Sequence, residues 1–320
     1  MGRSTKIWLG FAAILVAAGI VLFAVALWEV NFDINKLSTD TYVTNIYEIS
    51  QDFSRLSLDT DTAAISFALS ADGKCKVECY EEEKAKHTAS VEGDTLVIKV
   101  TNRKQWYDYI GIHFDSPKIT VYLPKSEYAA LSIRENTGIV QLPTELTFES
   151  VDITTDTGSV YCLSTVSGQL KIKTDTGKIS VENTFVGAAE LSVSTGLVTV
   201  SQVNCRENIC IQVSTGRANL TGIACKNLTS NGDTGDIALK QVIAQEKITI
   251  ERDTGDVMFD ASDAAVISVK TDTGDVTGSL LSAKVFVITT DTGTVQVPKS
   301  TVGGRCEIST DTGDIRITVP

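Results

Sequence analysis

Apolar residues in this chain fall at every second position in short runs, and the runs return with a period of 19 or 20 residues. Each period is centred on a Thr-Gly pair. The glycines are Gly138, Gly158, Gly177, Gly196, Gly216, Gly235, Gly255, Gly274, Gly293 and Gly313, and Asp precedes the Thr in seven of these ten copies. Counting from each Gly as zero, positions −7 and +2 are apolar in every copy. Position −5 is apolar except at Ser230, and position +4 except at Gly278. The intervening positions are mostly polar. Period-two alternation rich in Val and Ile predicts two short strands per unit, one on each side of the Thr-Gly corner.

A unit this short cannot enclose a core of its own. It must stack on its neighbours, so that equivalent residues lie about 4.8 Å apart along parallel ladders. The expectation is an all-β protein: a parallel β-solenoid of 10 or 11 units, right-handed by the crossover rule, forming a rod about 50 Å long. The corner predicts a turn with every repeat Gly at positive φ, and the Asp at −2 accepting a backbone N–H as in an Asx turn. One further unit lies upstream, where Asp61-Thr62-Ala63 is flanked by Leu56 and Leu58, then Ile65 and Phe67. Residues 96–100 and 118–123 read as strands, 74–91 as a hairpin or inserted loop, and 102–114 as a second insertion.

The N-terminus breaks the pattern. Residues 7–28 carry no charge, and Trp8 and Trp28 bracket them. As a helix these residues reach about 33 Å, enough for a hydrocarbon core of about 30 Å. Arg3 and Lys6 before the segment, with Glu29 and Asp33 after it, predict a cytoplasmic N-terminus and extracytoplasmic repeats. The competing reading is a signal peptide cleaved near Ala26, after Ala24-Val25-Ala26. Five segments result: a cytoplasmic 1–6, a transmembrane helix 7–28, a linker 29–44, an irregular first part of the solenoid at 45–130, and the regular repeats at 131–320.

The formal charge of −12 argues against nucleic acid as a partner. The seven cysteines fall largely on apolar repeat positions and read as small core residues; Cys205 and Cys225 are expected to stack on neighbouring units. The chain has two histidines. His87 and His113 have no recognisable partners, and a zinc site is not expected. Asp-Thr-Gly is also the aspartic-protease signature, but that chemistry needs two facing carboxylates, not a stacked column. Stacked Asp at −2 and +1 nominate Asp233, Asp236, Asp253, Asp256, Asp272 and Asp275 as weak calcium ligands, against a purely structural turn. The aromatic group Trp106, Tyr107, Tyr109 and Phe114 is a candidate ligand patch or packs onto the solenoid flank. No catalytic residue, cofactor or firm metal site is expected.

An N-terminal membrane segment, the segment Asp94-Thr95-Leu96-Val97-Ile98, the segment Ile119-Thr120-Val121-Tyr122-Leu123-Pro124 and the Thr-Gly or Ser-Gly corners together resemble the bacterial "putative adhesin" β-strand-repeat family. That resemblance covers roughly 45–320 and implies a β-solenoid at the bacterial cell envelope, with no catalytic residues to transfer. The resulting expectation is a non-enzymatic, membrane-anchored binding surface or scaffold with a protein or glycan partner. It self-associates through an uncapped C-terminal rung at Ile315–Val319. Two alternatives stand beside it: a regulatory or envelope-stress sensing protein working through a membrane partner, and a polysaccharide-active β-helix enzyme. The second is disfavoured because Lys178, Arg217 and Arg252 lie on different columns.

Overall fold

The computed structural model describes residues 2–29, 31–32, 41–104 and 115–320. Helix α1 (Arg3–Glu29) is followed by seventeen strands. The first six are β1 (Tyr42–Ile49), β2 (Arg55–Leu69), β3 (Cys75–Glu82), β4 (Ala85–Glu92), β5 (Thr95–Asn102) and β6 (Lys118–Leu123). The regular region holds β7 (Glu127–Leu142), β8 (Thr147–Cys162), β9 (Thr165–Cys205), β10 (Asn208–Thr234), β11 (Ile237–Thr254), β12 (Val257–Thr273) and β13 (Val276–Leu280). The last four are β14 (Lys284–Thr292), β15 (Val295–Gln296), β16 (Gly304–Thr312) and β17 (Ile315–Thr318).

The fold is a parallel β-solenoid. Thr137, Gly138 and Val140 pair with Thr157, Gly158 and Val160, and these with Thr176, Gly177 and Ile179. The upstream unit is real: Ala63 pairs with Gly138, and Leu56 with Leu131. Outside the Gly293 unit, residues at −7, −5, +2 and +4 form one continuous core, including Ile179, Val257 and Val276 at 0% exposure. Ser230 is buried too. Gly278 stacks between Phe259 and Ile317, so a small residue follows a large one in that column.

Rung order does not follow chain order at either end. Strand β2 lies between β7 on one side and the rung made of β5 and β6 on the other. Below that rung the ladders turn antiparallel, with β4 on β5, β3 on β6, and β1 on β3. These strands cap the N-terminal end, and Tyr47, Ile49, Ala89 and Val91 pack against the core. The stretch read as a hairpin at 74–91 therefore supplies two strands that pair with other elements rather than with each other.

At the other end β16 pairs with both β12 and β14, and β17 with both β13 and β15. The chain lays the Gly293 rung first and then returns to fill the gap beneath it. This corrects the expectation that Ile315–Val319 forms an uncapped tip. Ile315 and Ile317 are 0% and 2% exposed, whereas Val295 of the Gly293 rung is 48% exposed. Phe286, Ile288 and Val297 of that rung are half-buried. The open end of the rod is thus β14–β15. Gly303 and Gly304 let the returning chain pass, because a Cβ on Gly304 would sit 2.1 Å from the Ala265 carbonyl oxygen. Lys284 pairs in register with Gly304 and reaches beyond it to the Asp263 carboxylate at 2.5 Å and the Ala264 carbonyl at 2.7 Å. One buried lysine therefore clamps the terminal rung across the inserted one.

Ile317→Lys should cost about 3 kcal/mol or more, because it buries an unpaired charge between two rungs. Val295→Lys, at the open end, should fall within about 0.5 kcal/mol. Denaturant melts of the two variants separate the observed rung order from the sequential one, which would reverse the ranking.

Candidate functional site

The Thr-Gly corner is the recurring polar feature of the rod, and its chemistry begins with backbone proximity. A Cβ placed on Gly158 would lie 2.2 Å from the Gly138 carbonyl oxygen; on Gly255, 2.2 Å from that of Gly235; on Gly313, 2.0 Å from that of Gly274. No side chain fits there. Eight of the repeat glycines also have positive φ, with Gly235 at 129° and Gly216 at 139°. Gly138 and Gly158 lie outside the left-handed range, so positive φ is not what unites the column. Close carbonyl approach is. A separate left-handed corner occurs six residues later, at Asn183, Gln202, Gly222, Gln241 and Ala261. Sequence reasoning missed it because its residue types differ from rung to rung. Gly158→Ala should therefore destabilise about as much as Gly255→Ala, roughly 2 kcal/mol or more by overpacking. Melts showing Gly158→Ala to be neutral would restore positive φ as the cause.

Around this glycine column run three others. The −2 carboxylates Asp156, Asp175, Asp233, Asp253, Asp272, Asp291 and Asp311 are exposed. The Asx-type role assigned to them belongs to the +1 column instead. Asp236, Asp256 and Asp275 each accept the backbone N–H of the +1 residue in the next rung, at 3.1, 2.9 and 2.8 Å. Asp314 accepts from both the N–H and the hydroxyl of Thr294. These bonds favour the carboxylate of Asp314, holding it below the usual range, with a smaller contribution from Arg316. Of the six calcium candidates, Asp236, Asp256 and Asp275 thus spend one oxygen each on the backbone ladder, while Asp233, Asp253 and Asp272 are exposed to solvent.

The third column, at −3, points inward and was not identified from sequence. Thr174, Thr310 and Thr290 donate to the carbonyls of Gly158, Gly274 and Gly313 in the neighbouring rungs. The repeat is better written Thr-Asp-Thr-Gly, and in these three units its first Thr ties neighbouring corners together, whereas the Thr155 and Thr271 hydroxyls have no partner among the described residues. Val193 and Val213 replace that Thr with a buried apolar side chain. Three other −3 residues depart further. Gly232 leaves space that the Arg252 guanidinium fills, since its Cβ would meet Arg252 Nη1 at 1.9 Å. Arg252, itself at −3, donates from Nη2 to Ser230 Oγ at 2.8 Å. The odd Ser at −5, the odd Gly at −3 and the buried Arg form one unit. Burial lowers the Arg252 pKa, partly offset by Asp233.

Glu135 is the last of the three. It is 4% exposed, its Oε1 accepts from the Ala63 N–H at 3.3 Å, and its Oε2 has no partner among the described residues. Burial pushes its pKa up to about 7, with the Ala63 hydrogen bond opposing. A carboxyl raised in the folded state contributes its stability fully below its unfolded pKa and loses it as pH rises through about 7. Wild type should therefore lose melting temperature between about pH 5 and 8, and Glu135→Gln should flatten that slope and melt higher at pH 8. Calorimetry across this range checks it; parallel slopes would exclude Glu135 as the source.

The N-terminal cap holds a different constellation. Along β3, Cys75, Val77, Cys79 and Glu81 all face inward. Glu81 and Cys79 are 0% exposed and His87 of β4 is 3%. His87 Nδ1 lies 2.6 Å from Glu81 Oε2, and the His87 backbone N–H donates to the same oxygen at 2.6 Å. Asn45 Nδ2 donates to Glu81 Oε1 at 2.6 Å, and His87 Nε2 lies 2.8 Å from Thr60 Oγ1. The Tyr47 hydroxyl donates to the His87 carbonyl. Burial, then Glu81 and Glu78, pushes the Cys79 thiol up to about 12. The expectation that His87 lacks partners is corrected. These partners were missed because β3 and β4 meet through the cap and not through a sequence motif.

Trp106, Tyr107, Tyr109 and Phe114 lie outside the described residues, as does His113. Lys178 and Arg217 both sit at +1, which corrects the expectation that these three basic residues occupy different columns; Arg252 alone departs, buried at −3. Cys205 and Cys225 stack, as the pairing of Asn204 with Ala224 requires, and both are buried free thiols. Cys210 is the exposed cysteine.

Comparison with known proteins agrees with the fold. The family described as Toastrack DUF4097 matches residues 53–209 and again 197–320. A "putative adhesin" structure from Parabacteroides merdae is similar at 13% identity, covering 77% of this chain and 98% of that one, with a TM-score of 0.54. One from Parabacteroides distasonis is similar at 14% identity, covering 85% and 98%, with a TM-score of 0.51. A third structure, described as a "putative lipid binding protein" from the same organism, has 14% identity, covers 88% and 98%, and has a TM-score of 0.51. No curated protein sequence matches the chain significantly.

Proposed function

The chain belongs to the Toastrack family, and from that premise we propose that it is a membrane-anchored, extracytoplasmic binding rod with no enzymatic activity. The observation that carries this reading is the polarity of the rod. Its N-terminal end is capped and follows a helix whose segment Ile7–Glu29 is long and apolar enough to cross a membrane and is not buried. Its far end is an open rung, β14–β15, with Val287 and Val295 exposed, and Val302 exposed in the segment that follows. A capped base that follows an apolar helix in the chain and an uncapped tip suit a support that presents a surface away from the bilayer. The adhesin descriptions of two similar structures point the same way. The acidic outer columns favour partners that are not anionic, and the carboxylate-to-amide ladder at +1 supplies rigidity.

Topology is testable with the native thiols. A membrane-impermeant maleimide should label the wild-type protein in intact cells, with any outer membrane removed, and Cys210→Ser should abolish the labelling. Labelling that requires lysis would place the repeats in the cytoplasm and overturn the reading.

A further inference from the structure

We propose that Cys79, Glu81 and His87 form a zinc site in the N-terminal cap. Cys79 Sγ, a Glu81 carboxylate oxygen and a His87 ring nitrogen all lie within 4.8 Å of one another. Ligand atoms around a tetrahedral zinc ion stand roughly 3.3–3.8 Å apart, given bonds of about 2.0–2.3 Å. The trio is thus on the scale of the ion. The tight Nδ1 to Oε2 pair, at 2.6 Å, opens by about 1 Å as the metal replaces its hydrogen bond.

Three independent features support the assignment. Charge comes first: a thiolate, a carboxylate and a neutral imidazole sum with a dication to zero, which suits an interior where all three side chains are nearly inaccessible. On binding, the Cys79 proton leaves to solvent, and the proton of the His87 Nδ1 to Glu81 Oε2 hydrogen bond shifts to Nε2, which faces Thr60 Oγ1. Outer contacts come second. Thr60 Oγ1 stands where it can accept the Nε2–H of His87, which leaves Nδ1 as the ligating nitrogen, and Asn45 orients Glu81 through its other oxygen. Metal-binding histidines and carboxylates are held in this manner. The third feature is access. A cavity of about 450 Å³ adjoins His87, lined also by Tyr47, Thr88, Thr101 and Arg103. It gives an approach to the His87 side of the trio; Cys79 and Glu81 do not line it. Mixed S, N and O donors favour zinc over calcium or magnesium.

The ion would join β3 to β4 directly, and β1 and β2 through Asn45 and Thr60. It would therefore lock the cap that follows the apolar helix, independently of what the tip binds.

The test uses the full-length chain in detergent, loaded with Zn²⁺ or Co²⁺ alone and passed through a desalting column. About one metal per chain should remain, and the cobalt form should show a thiolate-to-cobalt charge-transfer band. Cys79→Ser should remove the band, and Thr60→Val should weaken binding about tenfold although Thr60 is not a ligand. Cys210→Ser should change neither. Should Cys79→Ser fail to fold, Glu81→Gln is the substitute, with binding weakened at least tenfold. Folded wild type that retains no stoichiometric metal overturns the proposal, as does a charge-transfer band that survives Cys79→Ser.

Discussion

The contact between each corner glycine and the backbone carbonyl one rung away sets the geometry of the rod. At about 2 Å from a would-be Cβ, that oxygen forbids any side chain, and the restriction repeats from rung to rung. Because the corners are pinned at the ladder spacing, the −3 hydroxyls can reach the glycine carbonyls and the +1 carboxylates can reach the next amide. Both hydrogen bonds run between rungs rather than within them, so the polar corner works as a second ladder parallel to the backbone one. Ala63 marks the limit of the rule. Its unit is followed outward by the β5–β6 rung, whose strands are joined by residues 103–117 with no Thr-Gly pair, and a methyl group is accommodated at that position.

Most of the rod was legible in the sequence because burial alternates with period two and repeats with the rung. In the Gly177 unit, Ile179 and Val181 at +2 and +4 behave like Leu170 and Ile172 at −7 and −5: all four are buried. Rung order was not legible. The units around Gly274, Gly293 and Gly313 carry the same Thr-Asp-Thr-Gly corner and similar apolar positions, so any of them can stack on any other. The linkers differ, and so does +4, where Gly278 stands in place of Val297 and Ile317. Gly303-Gly304 and the long reach of Lys284 decide the outcome, and their meaning depends on knowing which backbone they pass.

The polar interior was illegible for a different reason. A buried Thr, Glu or Arg at −3 looks like a solvent-facing residue next to an exposed Asp at −2. The strand alternation is suspended at the corner, where −2 and −1 both face outward. A signal was nevertheless present at Ser230 and Gly232. Two departures from the repeat within three residues, followed one rung later by Arg252, record a large side chain that needs both space and an acceptor. Paired exceptions of this sort say more about the interior than the repeat itself does.

The two ends of the rod solve one problem in different ways. A parallel ladder always ends in an unpaired strand. At the base the chain reverses direction, and β1, β3 and β4 add antiparallel strands that cover the core while bringing Cys79, Glu81 and His87 together. At the tip no reversal occurs; the chain instead inserts its final rung beneath the penultimate one. The insertion leaves an open edge, but that edge belongs to a rung held twice, by the inserted strands below it and by the Lys284 clamp to Asp263. An exposed edge anchored in this way resists fraying better than a free chain terminus would. Rigidity at the exposed end is what a presenting surface requires, since ordering it on contact would otherwise subtract from binding.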